Sequence, residues 1–187
     1  MKDYLVLIIF PSKTFEKLNN KEPNFFILYL MVTLALAAIN LPKYIAASIN
    51  NPKGLETLAI QLIVLPFVYF PFVYGIGYCY WIICKGFRGL SSYLEMRTLM
   101  SYSTLPFVLQ FVINIPFVTV GLLKNDVSII AHDNYISSLI LWLLSFRITM
   151  VGIAKYNMFN WMITLITYMI ATSVLGGFAY LLLQLKR

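Results

Sequence analysis

The chain has 187 residues, 60% of them hydrophobic and 11% charged, with a mean hydropathy of +0.81 and a formal net charge of +7. Soluble domains carry roughly a quarter charged residues, so this composition excludes a water-soluble fold and makes the bilayer the main solvent. The Lys and Arg residues stand at the ends of apolar runs; that pattern reflects insertion topology and anionic headgroups and argues against a nucleic-acid binder, whose cations cluster on a polar surface.

The chain opens with "MKDYLVLIIFPSKTFEKLNNKEP". Its apolar run, Tyr4 to Phe10, is too short to cross ~30 Å of hydrocarbon, and no small-x-small cleavage site follows it. Phe15 and Leu18 then lie three apart with Lys13, Glu16 and Lys17 between them. Residues 1–22 are expected to form a short interfacial segment on the membrane, ahead of a single transmembrane domain, 23–187.

That domain reads as all-α and polytopic, with five transmembrane helices. The first span covers about 24–41 and is closed by Leu41-Pro42 and a polar loop through Glu56. The second, 57–84, is long enough to require tilt, with Pro66 and Pro71 as candidate kinks. It ends in "GIGYCYWIICKGFRG" (75–89). A dinucleotide fingerprint would need a third glycine where Tyr80 stands, and a P-loop would need Gly-Lys-Ser/Thr. Gly75 and Cys79 are instead a small-xxx-small pair suited to close helix approach. Tyr78, Tyr80 and Trp81 suit an interfacial aromatic belt, with Lys85 and Arg88 on the cytoplasmic flank. Cys79 and Cys84 are five apart, so on a helix their thiols diverge by about 140°, which fits neither a redox pair nor a zinc motif. With a single histidine in the chain, no metal or cofactor is expected.

Residues 85–97 form a polar stretch in which Ser92 precedes Glu95 by three, a capping box that predicts a helix starting at Tyr93. Lys85, Arg88, Glu95 and Arg97 make a candidate cytoplasmic partner surface; the alternative is a solvated helix face. The third span, 98–123, contains Pro106 and Pro116 as further kinks. The repeats "LPFV" (65–68, 105–108) and "PFV" (71–73, 116–118) raise the broken-helix pattern of transporters. Such sites normally add acidic or amide side chains, and Gln61, Gln110 and Asn114 are the ones available, so kinked packing helices are favoured. A polar loop, "KNDVSIIAHDN" (124–134), holds His132 and Asp133 without a nucleophile, which is no catalytic triad.

The fourth span, 135–154, carries Arg147, the one charge placed well inside a span. It marks either a polar contact within the bundle or a side chain that snorkels, and partial burial against other spans is expected. The fifth span covers 161–185. Gly75, Cys79, Gly152, Gly176 and Gly177 are candidate packing positions. With an inside N-terminus, Lys2, Lys13, Lys17, Lys21, Lys85, Arg88, Arg97 and Lys155 fall inside, against Lys43, Lys53, Lys124, Lys186 and Arg187 outside, a modest bias for that orientation. No Gly-x-Ser-x-Gly, His-Glu-x-x-His or pair of intramembrane aspartates occurs, so the chain is expected not to be an enzyme. The alternative function is a small-solute or lipid transporter or channel using the proline kinks and Arg147.

Several stretches resemble the Yip family of five-span, Ypt/Rab-interacting membrane proteins. "FPSKTFEKLNNKEP" (10–23) is similar to the lead-in of its prokaryotic members, and Gly75-x-Gly77 to the end of their second span. "SSYLEMRTLMSYSTLP" (91–106) resembles their Ser-rich inside loop, and "LWLLSFRITMVGIAKYNMFNW" (141–161) their fourth span and its turn. The resemblance implies a non-catalytic protein of the bacterial cytoplasmic membrane, acting as a scaffold or accessory subunit in membrane organisation, trafficking or export. Its partners would be the lipid bilayer and other membrane proteins or itself. Eukaryotic members carry a long acidic N-terminal region that has no counterpart in the 22 residues here, so binding of Rab-type GTPases is not carried over.

Overall fold

The computed structural model describes residues 2–19, 25–49, 54–130 and 135–184; His132, Asp133 and the dibasic C-terminus lie outside them. The described residues are helical, with no strand among them. In chain order the helices are α1 (Lys2–Ile9), α2 (Pro11–Asn19), α3 (Phe25–Ile49), α4 (Gly54–Gly86), α5 (Tyr93–Ser103), α6 (Leu105–Val108), α7 (Gln110–Lys124), α8 (Val127–Ile130), α9 (Tyr135–Asn157) and α10 (Trp161–Gln184). Among the described residues four stretches are long and apolar enough to cross a membrane: Tyr29–Ile49, Tyr93–Lys124, Val127–Asn157 and Trp161–Phe178. α4 has 33 residues, more than the roughly 20 that a crossing needs. Pro66 and Pro71 both lie within it.

The chain divides into two compact units. The first comprises residues 1–23, 72–102 and 147–187. Its interior is built from Leu7, Phe15, Val73, Tyr80, Cys84, Met96, Leu99, Met150 and Ile153, all buried. The N-terminal helices α1 and α2 pack into this unit. Phe15 is buried with its ring 5.6 Å edge-on from Tyr156 and 6.2 Å from Tyr102. The Lys155 ammonium donates to the Ser12 carbonyl at 2.8 Å. α10 shows which solvent this unit meets. Its buried positions are Thr164, Thr167 and Ala171, while Met162, Ile166, Met169, Val174 and Phe178 are exposed. Small polar residues inside and large apolar ones outside is the reverse of a soluble helix, and it follows when the outer solvent is hydrocarbon.

The second unit comprises residues 24–71 and 103–146, with α3 packed on α6, α7 and α8. Here the sequence reading needs a correction. Pro42 does not end the first span; α3 continues through it to Ile49. A proline lacks the N–H that would pair with the carbonyl four residues back, so Ala38 loses its helical partner. The Asn114 side-chain amide of α7 donates to that Ala38 oxygen at 2.9 Å. Gln110, buried, donates in turn to the Asn114 oxygen at 2.9 Å. The helix continues because a neighbour supplies the missing donor. The third span is divided at Thr104 and Leu109, which set the short α6, with Pro106 in its first turn, off from α5 and α7. Pro116, by contrast, sits inside α7 without ending it.

Three helix ends close in the same way. α4, α7 and α9 are each followed by a residue in the left-handed region, Arg88 (φ 62°), Asn125 (φ 50°) and Met158 (φ 56°). In each, the next amide reaches back five residues: Gly89 to Cys84 at 2.8 Å, Asp126 to Gly121 at 2.9 Å and Phe159 to Ala154 at 3.0 Å. These bonds cover carbonyls that a helix C-terminus leaves unpaired. Asp126 then accepts from the amide and hydroxyl of Ser128, and those bonds hold its carboxyl below the usual carboxylate range. α5 starts at Tyr93 through the expected capping box: the Ser92 amide donates to the Glu95 carboxylate at 2.7 Å, and the Glu95 amide donates to the Ser92 hydroxyl at 3.2 Å.

Candidate functional site

The densest polar constellation lies in the first unit, where the loop after α4 meets the end of α9. Asn157 is 3% exposed and uses both ends of its amide. Its oxygen accepts from the Ser91 hydroxyl at 2.7 Å and the Ser91 amide at 3.2 Å. Its nitrogen donates to the Ile153 carbonyl at 3.0 Å and to the Cys84 sulfur at 3.5 Å. Gly89 is required beside it, since a Cβ there would collide with the Asn157 amide and lie 2.8 Å from the Cys84 carbonyl. The Lys85 ammonium donates to the Gly89 carbonyl at 3.0 Å. Two exposed left-handed residues, Arg88 and Met158, flank the clasp in sequence, and Phe87 and Leu90 beside Arg88 in the chain are exposed as well.

A second constellation lies on the seam between α4 and α5. The Arg97 guanidinium carbon is 4.4 Å from the centroid of the Tyr74 ring, within cation–π range. Gly77 makes the approach possible: a Cβ there would lie 2.9 Å from the Arg97 Cα and 3.2 Å from its amide nitrogen. Tyr78, Trp81 and Tyr93 continue the seam as a mutually packed trio, with centroids 5.6, 5.9 and 6.2 Å apart. The Trp81 indole nitrogen is buried and has no hydrogen-bond partner among the described residues.

The candidate residues distribute unevenly over this geometry. Lys85 and Arg88 stand at the clasp, with Arg88 exposed. Glu95 is occupied as the cap of α5, and Arg97 lies over Tyr74 on the seam. Arg147 is exposed on α9, so the protein itself does not bury it and the partial burial expected from the sequence is not found. Among the packing candidates, Gly152 is buried and a Cβ there would strike the Leu99 side chain, whereas Gly75, Gly176 and Gly177 are exposed with nothing within 4 Å of an added Cβ. Cys79 is half-buried; it and the buried Cys84 are both free thiols. Sequence reasoning missed Asn157, Ser91, Gly89 and Tyr74, and singled out Gly77 only as part of the Gly75-x-Gly77 motif. An asparagine three residues past the apolar core of the fourth span was the available signal for the first.

The fold defines the class: a multi-pass α-helical membrane protein, with large apolar side chains on the outside of α10 and four stretches able to cross a membrane among the described residues. The family model for the Yip1 domain matches residues 5–183, and the chain belongs to that family. No curated protein and no solved structure matches the chain.

Proposed function

We propose that the chain is a non-catalytic scaffold or accessory subunit of the bacterial cytoplasmic membrane, crossing it five times with its N-terminus inside. Its role is membrane organisation, trafficking or service to an export complex. The clasped edge is the surface it offers to a membrane-protein partner. The observation that carries this is the pair Arg88 and Met158. A left-handed non-glycine residue costs about 1–2 kcal/mol, and glycine is the usual choice at such helix ends. Both positions keep large exposed side chains instead, each at a helix end that the Ser91–Asn157 bonds tie to the other. Strain held at an exposed, over-determined site points to a functional use of its side chains.

Affinity purification of the full chain from native membranes in mild detergent, with bound proteins identified by mass spectrometry, tests this. A near-stoichiometric membrane partner is expected. Arg88→Gly should stabilise the chain by about 1 kcal/mol while lowering partner recovery. A clean monomer or homo-oligomer, or recovery indifferent to Arg88→Gly, counts against the proposal. A second reading, as a solute or lipid transporter, is favoured by the interrupted third span at Leu105–Val108 and the buried Gln110 beside it. It requires flux in liposomes of the purified protein, reduced by Arg147→Ala or Gln110→Leu; no flux across a broad solute panel disposes of it.

A further inference from the structure

Arg147 is a cation without a counterpart. It is exposed on α9, and among the described residues no hydrogen bond, ion pair or ring holds its guanidinium. It stands near the middle of that helix, 12 residues from Tyr135 and 10 from Asn157, or about 18 and 15 Å along the axis. An arginine stem is too short to carry the charge to either end. The surroundings are apolar. Ile136, Ile140, Leu143 and Arg147 follow one another at helical steps of four, three and four, within an arc of about 60°. Ile136 is 75% exposed, Ile140 53% and Leu143 49%, whereas Met150, next on the same row, is buried. The row thus turns apolar side chains outward and ends on a guanidinium before the helix is covered. α9 belongs to the stretch Val127–Asn157, long and apolar enough to cross a membrane, and a charge inside such a stretch is costly unless something pairs with it.

Charge then chooses among the occupants. Of the chain's seven acidic residues, Glu56 and Glu95 lie in the first turns of α4 and α5 and Asp126 in the turn after α7. The others precede residue 23 or stand at position 133. None lies midway along a helix of crossing length. A second copy therefore brings no carboxylate to this face, and a two-fold pairing here would set Arg147 against Arg147. The exposed ridge of Ile136, Ile140 and Leu143 suits another helix, whose side chains pack into such rows. We propose that this face of α9 docks one membrane-crossing helix of a different protein, a helix carrying an Asp or Glu in its apolar middle. Arg147 is the ion-pair partner of that carboxylate, and Ile136, Ile140 and Leu143 are the packing ridge. The inference rests on the accessory-subunit reading and adds to the clasp a second contact, one that selects the partner by charge.

The test places a photo-crosslinking residue at Leu143 of the full chain in its native membranes and sequences the captured peptides by mass spectrometry. One partner segment is expected, apolar over about 20 residues and with an Asp or Glu near its middle. Arg147→Leu should lower the crosslinking yield about fivefold, and Arg147→Lys should keep most of it. Both variants should leave thermal unfolding of the isolated chain in detergent unchanged, because Arg147 is exposed. Arg147→Glu should lower the yield as well, and exchanging the partner's carboxylate for arginine should then restore it. Crosslinks confined to lipid, to a second copy or to a span without a carboxylate overturn the proposal, as does a yield that Arg147→Leu leaves unchanged. A partner recovered in an Arg88-dependent way without any crosslink at Leu143 overturns this docking face alone. No partner by either route overturns the accessory-subunit reading with it.

Discussion

Asn157 occupies all the bonding capacity a carboxamide has in one place. Four contacts converge on it, two from Ser91 and one each to Ile153 and Cys84. Replacing it by alanine leaves the Ser91 amide and hydroxyl without acceptors in a site closed to water. An unsatisfied buried group costs about 1–3 kcal/mol, so Asn157→Ala should destabilise the chain by roughly 2–4 kcal/mol. Thermal unfolding in detergent, beside Ser91→Ala as the milder reference, measures it. A loss below that of Ser91→Ala would mean that the clasp is not held by Asn157. This residue was passed over in the sequence because asparagine near a helix end ordinarily reads as a cap or turn residue. The Ser92–Glu95 cap was legible for the opposite reason: both partners lie within three positions, so the motif is the structure.

Among elements, α3 and α7 show how a proline can be read correctly and its consequence wrongly. Pro42 does remove a helical bond, but the helix goes on because Asn114, 76 positions from Ala38, covers the Ala38 carbonyl that is set free. The coupling is measurable. Asn114→Ala in the natural chain should cost about 1–2 kcal/mol, because the Ala38 oxygen is left bare. Combined with Pro42→Ala, whose amide can take up that oxygen, the same substitution should cost about 1 kcal/mol less. Additive effects in unfolding measurements would show that Asn114 does not substitute for the missing amide. That the chain is built of long apolar helices was legible, since length and hydropathy identify such a helix without knowledge of its neighbours, and four stretches able to cross a membrane are found among the described residues where five were expected. Where they bend and stop was not, because those points depend on residues elsewhere in the chain that provide or withhold a donor.

At the scale of the whole molecule, the glycines separate contacts within the chain from surfaces turned outward. Gly152 meets Leu99, whereas Gly176 and Gly177 face open space on α10. Gly152→Leu should lower stability by about 1–3 kcal/mol through overpacking. Gly176→Leu should leave the unfolding of the isolated chain within ~0.5 kcal/mol of its starting value, and cross-linking in native membranes then shows whether that face meets another protein. The sequence marked all three as packing positions, because a small residue reads alike whether its neighbour is a helix of the same chain, a second protein or an acyl tail. The clasp, finally, bears on how the protein is made. Ser91 and Asn157 are 66 residues apart, so at ~5–20 residues per second the loop after α4 leaves the ribosome several seconds before its partner exists. During that interval the Ser91 hydroxyl and the Arg88 turn face the biogenesis machinery without their lock. The clasp closes only once Asn157 has been delivered, so its closure reports that α9 has arrived while α10 is still to be made.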